Sequence, residues 1–94
     1  MKYKLLYTRT AFKDIKKLDR IRKRKIKAKI ENYSTTPLKK AIKMTDSSLG
    51  TYRWRMGIYR VIFDIEGKDV VILRIRHRKE VYLKKWAFIK VSLG

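Results

Sequence analysis

From Thr51 to His77 the chain runs in three stretches of alternating residues, Thr51–Met56, Ile58–Ile65 and Val70–His77, each rich in β-branched, aromatic or arginine side chains. Gly57 separates the first two, and Glu66-Gly67-Lys68-Asp69 separates the last two. A period of two bounded by turn formers is the pattern of strands joined by hairpins, so this region is expected to be a three-stranded antiparallel meander.

The alternation also assigns faces. Tyr52, Trp54 and Met56 lie opposite Arg53 and Arg55; Tyr59, Val61, Phe63 and Ile65 lie opposite Ile58, Arg60, Ile62 and Asp64; Val71, Leu73, Ile75 and His77 lie opposite Val70, Ile72, Arg74 and Arg76. A two-residue turn at Gly57-Ile58 sets Arg55 against Arg60 and Trp54 against Val61, with Gly57 where a type II′ turn prefers it. A three-residue loop at Gly67-Lys68-Asp69 then sets Arg60 against Arg76. The shorter loop at Gly67-Lys68 pairs Ile65 with Val70 and mixes the apolar and arginine faces, so the longer one is expected. The outcome is a row, Arg55-Arg60-Arg76, across one face. Like charges directly opposite one another destabilise a sheet, whereas guanidinium forks match phosphate oxygens, so the row reads as a phosphate cradle. The plainer alternative is that the arginine stems cover apolar surface while their heads spread into water.

Upstream, Tyr3, Leu5 and Tyr7 suggest a short first strand. Thr8 or Thr10 then offers a cap for a helix carrying Phe12, Ile15 and Leu18 on one side. A second helix is expected from Asp19 or Arg20 to about Tyr33, with Ile26, Ile30 and Tyr33 at helical spacing, ended by Thr35-Thr36-Pro37. Lys39 to Gly50 reads as a polar loop. The order β-α-α-β-β-β suits a single α+β domain over residues 1–94, with an N-terminal strand, a helical hairpin and then the meander, the helices packed on one face of the sheet. Residues 84–94 are compatible with a helix, a strand or a partner-binding tail.

Charge narrows the function. Lys and Arg number 27 against 8 acidic residues, a formal net charge of +19 over 94 residues. Self-repulsion on that scale opposes compaction unless a polyanion is near, so the natural partner is a nucleic acid. The run Arg22 to Lys29, with Arg22, Lys23 and Lys27 in it, concentrates this charge on the second helix and points to an anion nearby; a solvated helix face would look the same. Hydrophobic residues make up 45% of the chain, enough for one packed core. There is no cysteine, which excludes disulfides and thiol chemistry. No clustered carboxylates or Cys/His sets suggest a metal, no cofactor is implied, and nothing in the sequence points to a membrane or out of the cytoplasm.

The stretch from Tyr52 to Ile65, YRWRMGIYRVIFDI, followed by IRHRKEVY from Ile75 to Tyr82, closely resembles the RelE/ParE toxin family, and the resemblance extends over nearly the whole chain. It implies a RelE-type mRNA interferase that cleaves mRNA in the ribosomal A site, in contact with 16S rRNA, by attack of a 2′-OH on the adjacent phosphate, with Arg22, Lys23 and Lys27 as candidate ribosome-binding residues. The family's basic residues on the second strand, Arg on the third, Arg near the end of the fourth and Tyr beyond correspond to Arg53 and Arg55, Arg60, Arg76 or Arg78, and Tyr82. The catalytic candidates are therefore Arg60, Arg76, Arg78 and Tyr82. Arg53, Arg55, Arg74 and His77 are candidates for holding RNA or phosphate. Some relatives use a His near this point, although the alternation puts His77 on the apolar face beside Tyr59. Tyr82 is suited to act as general base if neighbouring cations favour its phenolate, and Arg60 and Arg76 to stabilise charge on the phosphate. The group that protonates the leaving oxygen is left open. Such a toxin implies an acidic antitoxin as partner. Two other readings are a ParE-like toxin that acts on DNA gyrase and a non-catalytic RNA- or ribosome-binding module.

Overall fold

The structure is a computed structural model and describes residues 3–45 and 50–79. Strand β1 (Lys4–Tyr7) leads into helix α1 (Arg9–Lys16) and helix α2 (Arg20–Ser34); strands β2 (Ile42–Lys43), β3 (Tyr52–Met56), β4 (Tyr59–Glu66) and β5 (Asp69–His77) follow. Tyr82 and residues 84–94 lie outside the described residues.

Each helix begins at a side-chain cap. The Thr8 hydroxyl accepts the Ala11 N–H at 3.1 Å and donates to the Leu73 carbonyl at 3.0 Å, so one residue both starts α1 and ties it to β5. The Asp19 carboxylate accepts the Arg22 N–H at 2.8 Å and starts α2. Both helices bury narrow stripes, Ala11 and Ile15 on α1, Ile26 and Ile30 on α2. The rest of α2 is largely basic, and cations in its first turns oppose the helix dipole, so packing of that stripe holds the helix in place.

The sheet has the order β1-β5-β4-β3-β2, with β1 parallel to β5 and every other pair antiparallel. The two helical stripes meet Trp54, Met56, Val61, Phe63, Val70, Ile72 and Ile75 in one core. Trp54 and Phe63 stack at 4.0 Å between centroids, and Tyr33 meets Trp54 edge-on at 5.7 Å. The buried Trp54 indole donates to the Pro37 carbonyl at 2.9 Å, which pins the segment leaving α2.

Two expectations need correction. The stretch expected to be a loop from Lys39 to Gly50 contains β2, which pairs Ile42 with Arg53 and Lys43 with Tyr52 at the sheet edge. The second hairpin also turns differently: Glu66 pairs with Asp69 and Ile65 with Val70, the short loop at Gly67-Lys68. Arg60 nevertheless pairs with Arg76, because a bulge between Ile62 and Phe63 leaves Leu73 of β5 without a partner. That extra residue switches the alternation midway. Val70 and Ile72 therefore join the core, while Leu73 turns to the opposite face.

On that opposite face, Ile62 and Leu73 form a small apolar patch against the backbone of Gly50. A Cβ at position 50 would stand 2.5 Å from Ile62 and 2.8 Å from Leu73, so a larger residue there would force these side chains to shift. The Thr51 N–H donates to the Asp64 carboxylate at 2.6 Å and fixes the start of β3 beside the patch. One end of the open face is thereby covered, and the other carries the arginines.

Candidate catalytic and RNA-binding face

The first hairpin sets the geometry of the arginine row. Gly57 has φ +63° and Ile58 a negative φ, the combination of a type II′ turn, and the strands leave it with Arg55 opposite Arg60 and Met56 opposite Tyr59. Arg76 lies opposite Arg60 on the other side. At the usual strand spacing of about 4.8 Å, the three Cα atoms span roughly 10 Å. The Arg60 guanidinium is anchored, since Nη1 donates to the carbonyls of Gly57 at 2.9 Å and Tyr59 at 3.0 Å. A donor held in place before a ligand arrives loses little freedom on binding it, which is the condition for effective stabilisation of phosphate charge. Arg55 is exposed, and Arg76 is half-buried.

The other candidates are placed as follows. Arg53 lies half-buried between Ile42 and Ile62, its Nε buried without a hydrogen-bond partner, beside the row. Arg74 is engaged by Asp14 of α1: Nε and Nη2 donate to the carboxylate at 2.9 and 3.2 Å. The same carboxylate accepts the Ile75 N–H at 2.9 Å. Arg74 is thus a strut between helix and sheet. Arg78 follows β5, where its backbone N–H donates to the Ile58 carbonyl at 2.7 Å and its side chain is exposed. His77 stands on the helix-facing side beside Tyr59, edge-on at 5.9 Å, and its Nδ1 accepts the Lys79 N–H at 3.1 Å. Of the α2 candidates, Arg22 and Lys27 are exposed and Lys23 is half-buried; Arg22 also faces Asp19 at 3.6 Å. Tyr82 lies outside the described residues.

Asp14 is the contributor that the sequence reading missed. Its one signal was being the only acid in α1, next to the Ala11–Ile15 stripe, and its partner is 60 positions away along the chain. Around this pair a cleft of about 340 Å³ opens between the end of α1 and the ends of β4 and β5, lined by Lys17, Leu18, Tyr59, Arg76 and His77 as well. Among the described residues no His, Cys, Asp or Glu cluster could hold a metal ion, and no helix is long and apolar enough to cross a membrane.

Comparison with known proteins places this arrangement. The family model for the ParE toxin of type II toxin–antitoxin systems matches residues 5–82. The chain belongs to the RelE/ParE toxin family. It is 32% identical over 83 residues to toxin RelE3 of Methanocaldococcus jannaschii, covering 84% of this chain and 94% of that toxin. It is 34% identical over 85 residues to toxin RelG of Mycobacterium tuberculosis, covering 87% and 98%. Among solved structures, the RelBE2 toxin–antitoxin complex of M. tuberculosis matches with a TM-score of 0.75 and 29% identity over 82% of this chain and 92% of the other. The RelB–RelE antitoxin–toxin complex of Methanococcus jannaschii matches with a TM-score of 0.64 and 28% identity over 82% and 94%. The RelE/ParE toxin described here therefore has the α+β fold of those relatives, two helices packed on a mixed five-stranded sheet.

Proposed function

We propose that this RelE/ParE toxin is a ribosome-dependent mRNA endonuclease acting in the cytoplasm, and that it cuts A-site mRNA by attack of a ribose 2′-OH on the adjacent phosphate without a metal ion. The observation that carries this reading is the cross-strand row Arg55-Arg60-Arg76, with the Arg60 guanidinium anchored at its centre. Aligned cations cost stability on a sheet and suit a pentacoordinate phosphate, whose negative charge grows as the 2′-oxygen bonds to phosphorus. Arg60 and Arg76 or Arg78 stabilise that charge, Tyr82 takes the 2′-OH proton, the bond from phosphorus to the 5′-oxygen breaks to give a 2′,3′-cyclic phosphate and a 5′-hydroxyl protonated from water, and Arg53 and Arg55 orient the neighbouring backbone. Arg22, Lys23 and Lys27 supply long-range attraction to ribosomal RNA. The partner in the cell is an acidic antitoxin, a proposal supported by the antitoxin-bound state of both structural relatives and by the +19 charge of this chain.

The ParE description of the matching family model favours one rival, inhibition of DNA gyrase. Incubating purified protein with translating ribosomes and mapping mRNA ends, in parallel with a gyrase supercoiling assay, separates the two. New mRNA ends that depend on the ribosome support the nuclease. Loss of supercoiling with intact mRNA overturns it.

A further inference from the structure

β1 ends at Tyr7, opposite Ile72, whereas β5 continues to His77. Among the described residues, no strand lies beside the outer edge of β5 beyond Ile72. The end of α1 fills part of the gap through Asp14, and the remainder is the cleft of about 340 Å³. That size falls in the range of small-molecule sites, roughly 300–1,000 Å³. Its walls differ from those of the arginine row. Tyr59 and His77 present an edge-on pair of rings, Leu18 adds an apolar residue, and the basic residues Lys17 and Arg76 complete the lining. His77 Nδ1 accepts the Lys79 N–H, so Nε2 is the ring nitrogen left to meet a heteroaromatic ligand.

Two features identify the ligand. A cleft lined by aromatic rings and basic residues is how proteins hold a splayed-out base of single-stranded RNA. Arg76 belongs both to the row and to the lining of the cleft, so a strand whose phosphate sits on Arg60 and Arg76 lies beside the cleft. We infer that the cleft is a nucleobase pocket that takes one base of the bound RNA, next to the phosphate on the arginine row, with the ring pair of Tyr59 and His77 as its aromatic surface. This rests on the nuclease reading for the location of the phosphate. It adds that one base is read or gripped on the helix-facing side of the sheet.

The test is a cycle between protein and RNA variants. Single-stranded RNAs made non-cleavable by a 2′-deoxy substitution, each lacking one base at a different position, are titrated against the parent and against Tyr59→Leu. Salt high enough to screen nonspecific charge is used. The parent should lose about tenfold in affinity when the base at one position is absent, and Tyr59→Leu should lose the same on intact RNA while becoming insensitive to that absence. Tyr59→Phe keeps the ring and should behave as the parent, which guards against a folding defect. Lys17→Ala should weaken every RNA alike. If Tyr59→Leu binds all RNAs as the parent does, or weakens them all by one factor, the pocket assignment is overturned. The same RNAs with the ribose restored, placed on ribosomes, test the other reading separately. Base-dependent binding without cleavage would sustain the pocket and sink the nuclease.

Discussion

Arg60 stands at the middle of the row with its guanidinium tied to the turn carbonyls, so replacing it removes a donor from the phosphate while the strand pairing around it persists. Arg60→Ala should slow cleavage by roughly 10²-fold or more under single-turnover conditions on saturating ribosomes. Lys23→Ala and Lys27→Ala should instead weaken association and leave the saturated rate unchanged. The opposite pattern would move the chemistry to α2. That Arg60 faces Arg55 was legible from period two and the Gly57 turn, whereas its pairing with Arg76, expected from a three-residue loop, comes instead from the short loop and the bulge in β5. What Arg74 does was not legible, because its partner Asp14 is distant in sequence and only the docked helix brings the two together. Tyr7 offers a separate test. Burial raises its pKa above the usual 10.0, and the negative charge of Glu31 adds to that. The folded state therefore holds the phenolic proton more tightly than the unfolded chain does. The stability this represents is complete below pH 10.0 and is lost as pH rises from there through the raised value. Tyr7→Phe should flatten that alkaline loss relative to the parent in paired denaturation curves, and parallel curves across the range would refute the assignment.

At the scale of elements, both helices and the three long strands were legible, since stripes such as Ile26 and Ile30 and caps such as Asp19 are local signals. The bulge was not. Val70-Val71-Ile72-Leu73 offers an apolar residue at every position, so alternation gives no ground for choosing which of them face the core. The choice is made by long-range contact: Val70 and Ile72 meet the helices, and Leu73 closes on Gly50 across the other face. β2 escaped notice for a related reason, because two residues are too few to show a period and Ile42 pairs only once β3 exists. The basic array on α2 has an energetic consequence as well. Like charges at helical spacing weaken the helix, and an anion laid along it removes that penalty. Inorganic polyphosphate should therefore raise the thermal midpoint of the parent more than that of a Lys23→Ala/Lys27→Ala double variant, as followed by circular dichroism; equal shifts would detach the effect from α2.

For the whole molecule, a charge of +19 makes affinity for RNA a matter of displaced counterions. A log–log plot of affinity against salt should fall with a slope of several units, and a flat response would remove the electrostatic account. The same repulsion keeps copies of the toxin apart only while it is unneutralised. Among the described residues, no strand pairs with the outer edge of β5 at Ile75, the kind of sheet edge on which a second chain can build, and the Asp14 carboxylate blocks it by occupying the Ile75 N–H. Asp14→Ala would free that edge, leave Arg74 without its partner and destabilise the fold by about 1–3 kcal/mol. At low salt the variant should remain monomeric, since charge still separates the molecules. In high salt, light scattering should show it aggregating where the parent does not, and identical scattering from both would mean the edge needs no guard. A single carboxylate, the one acid on α1, would then be what allows so cationic a chain to meet its polyanion without polymerising on it.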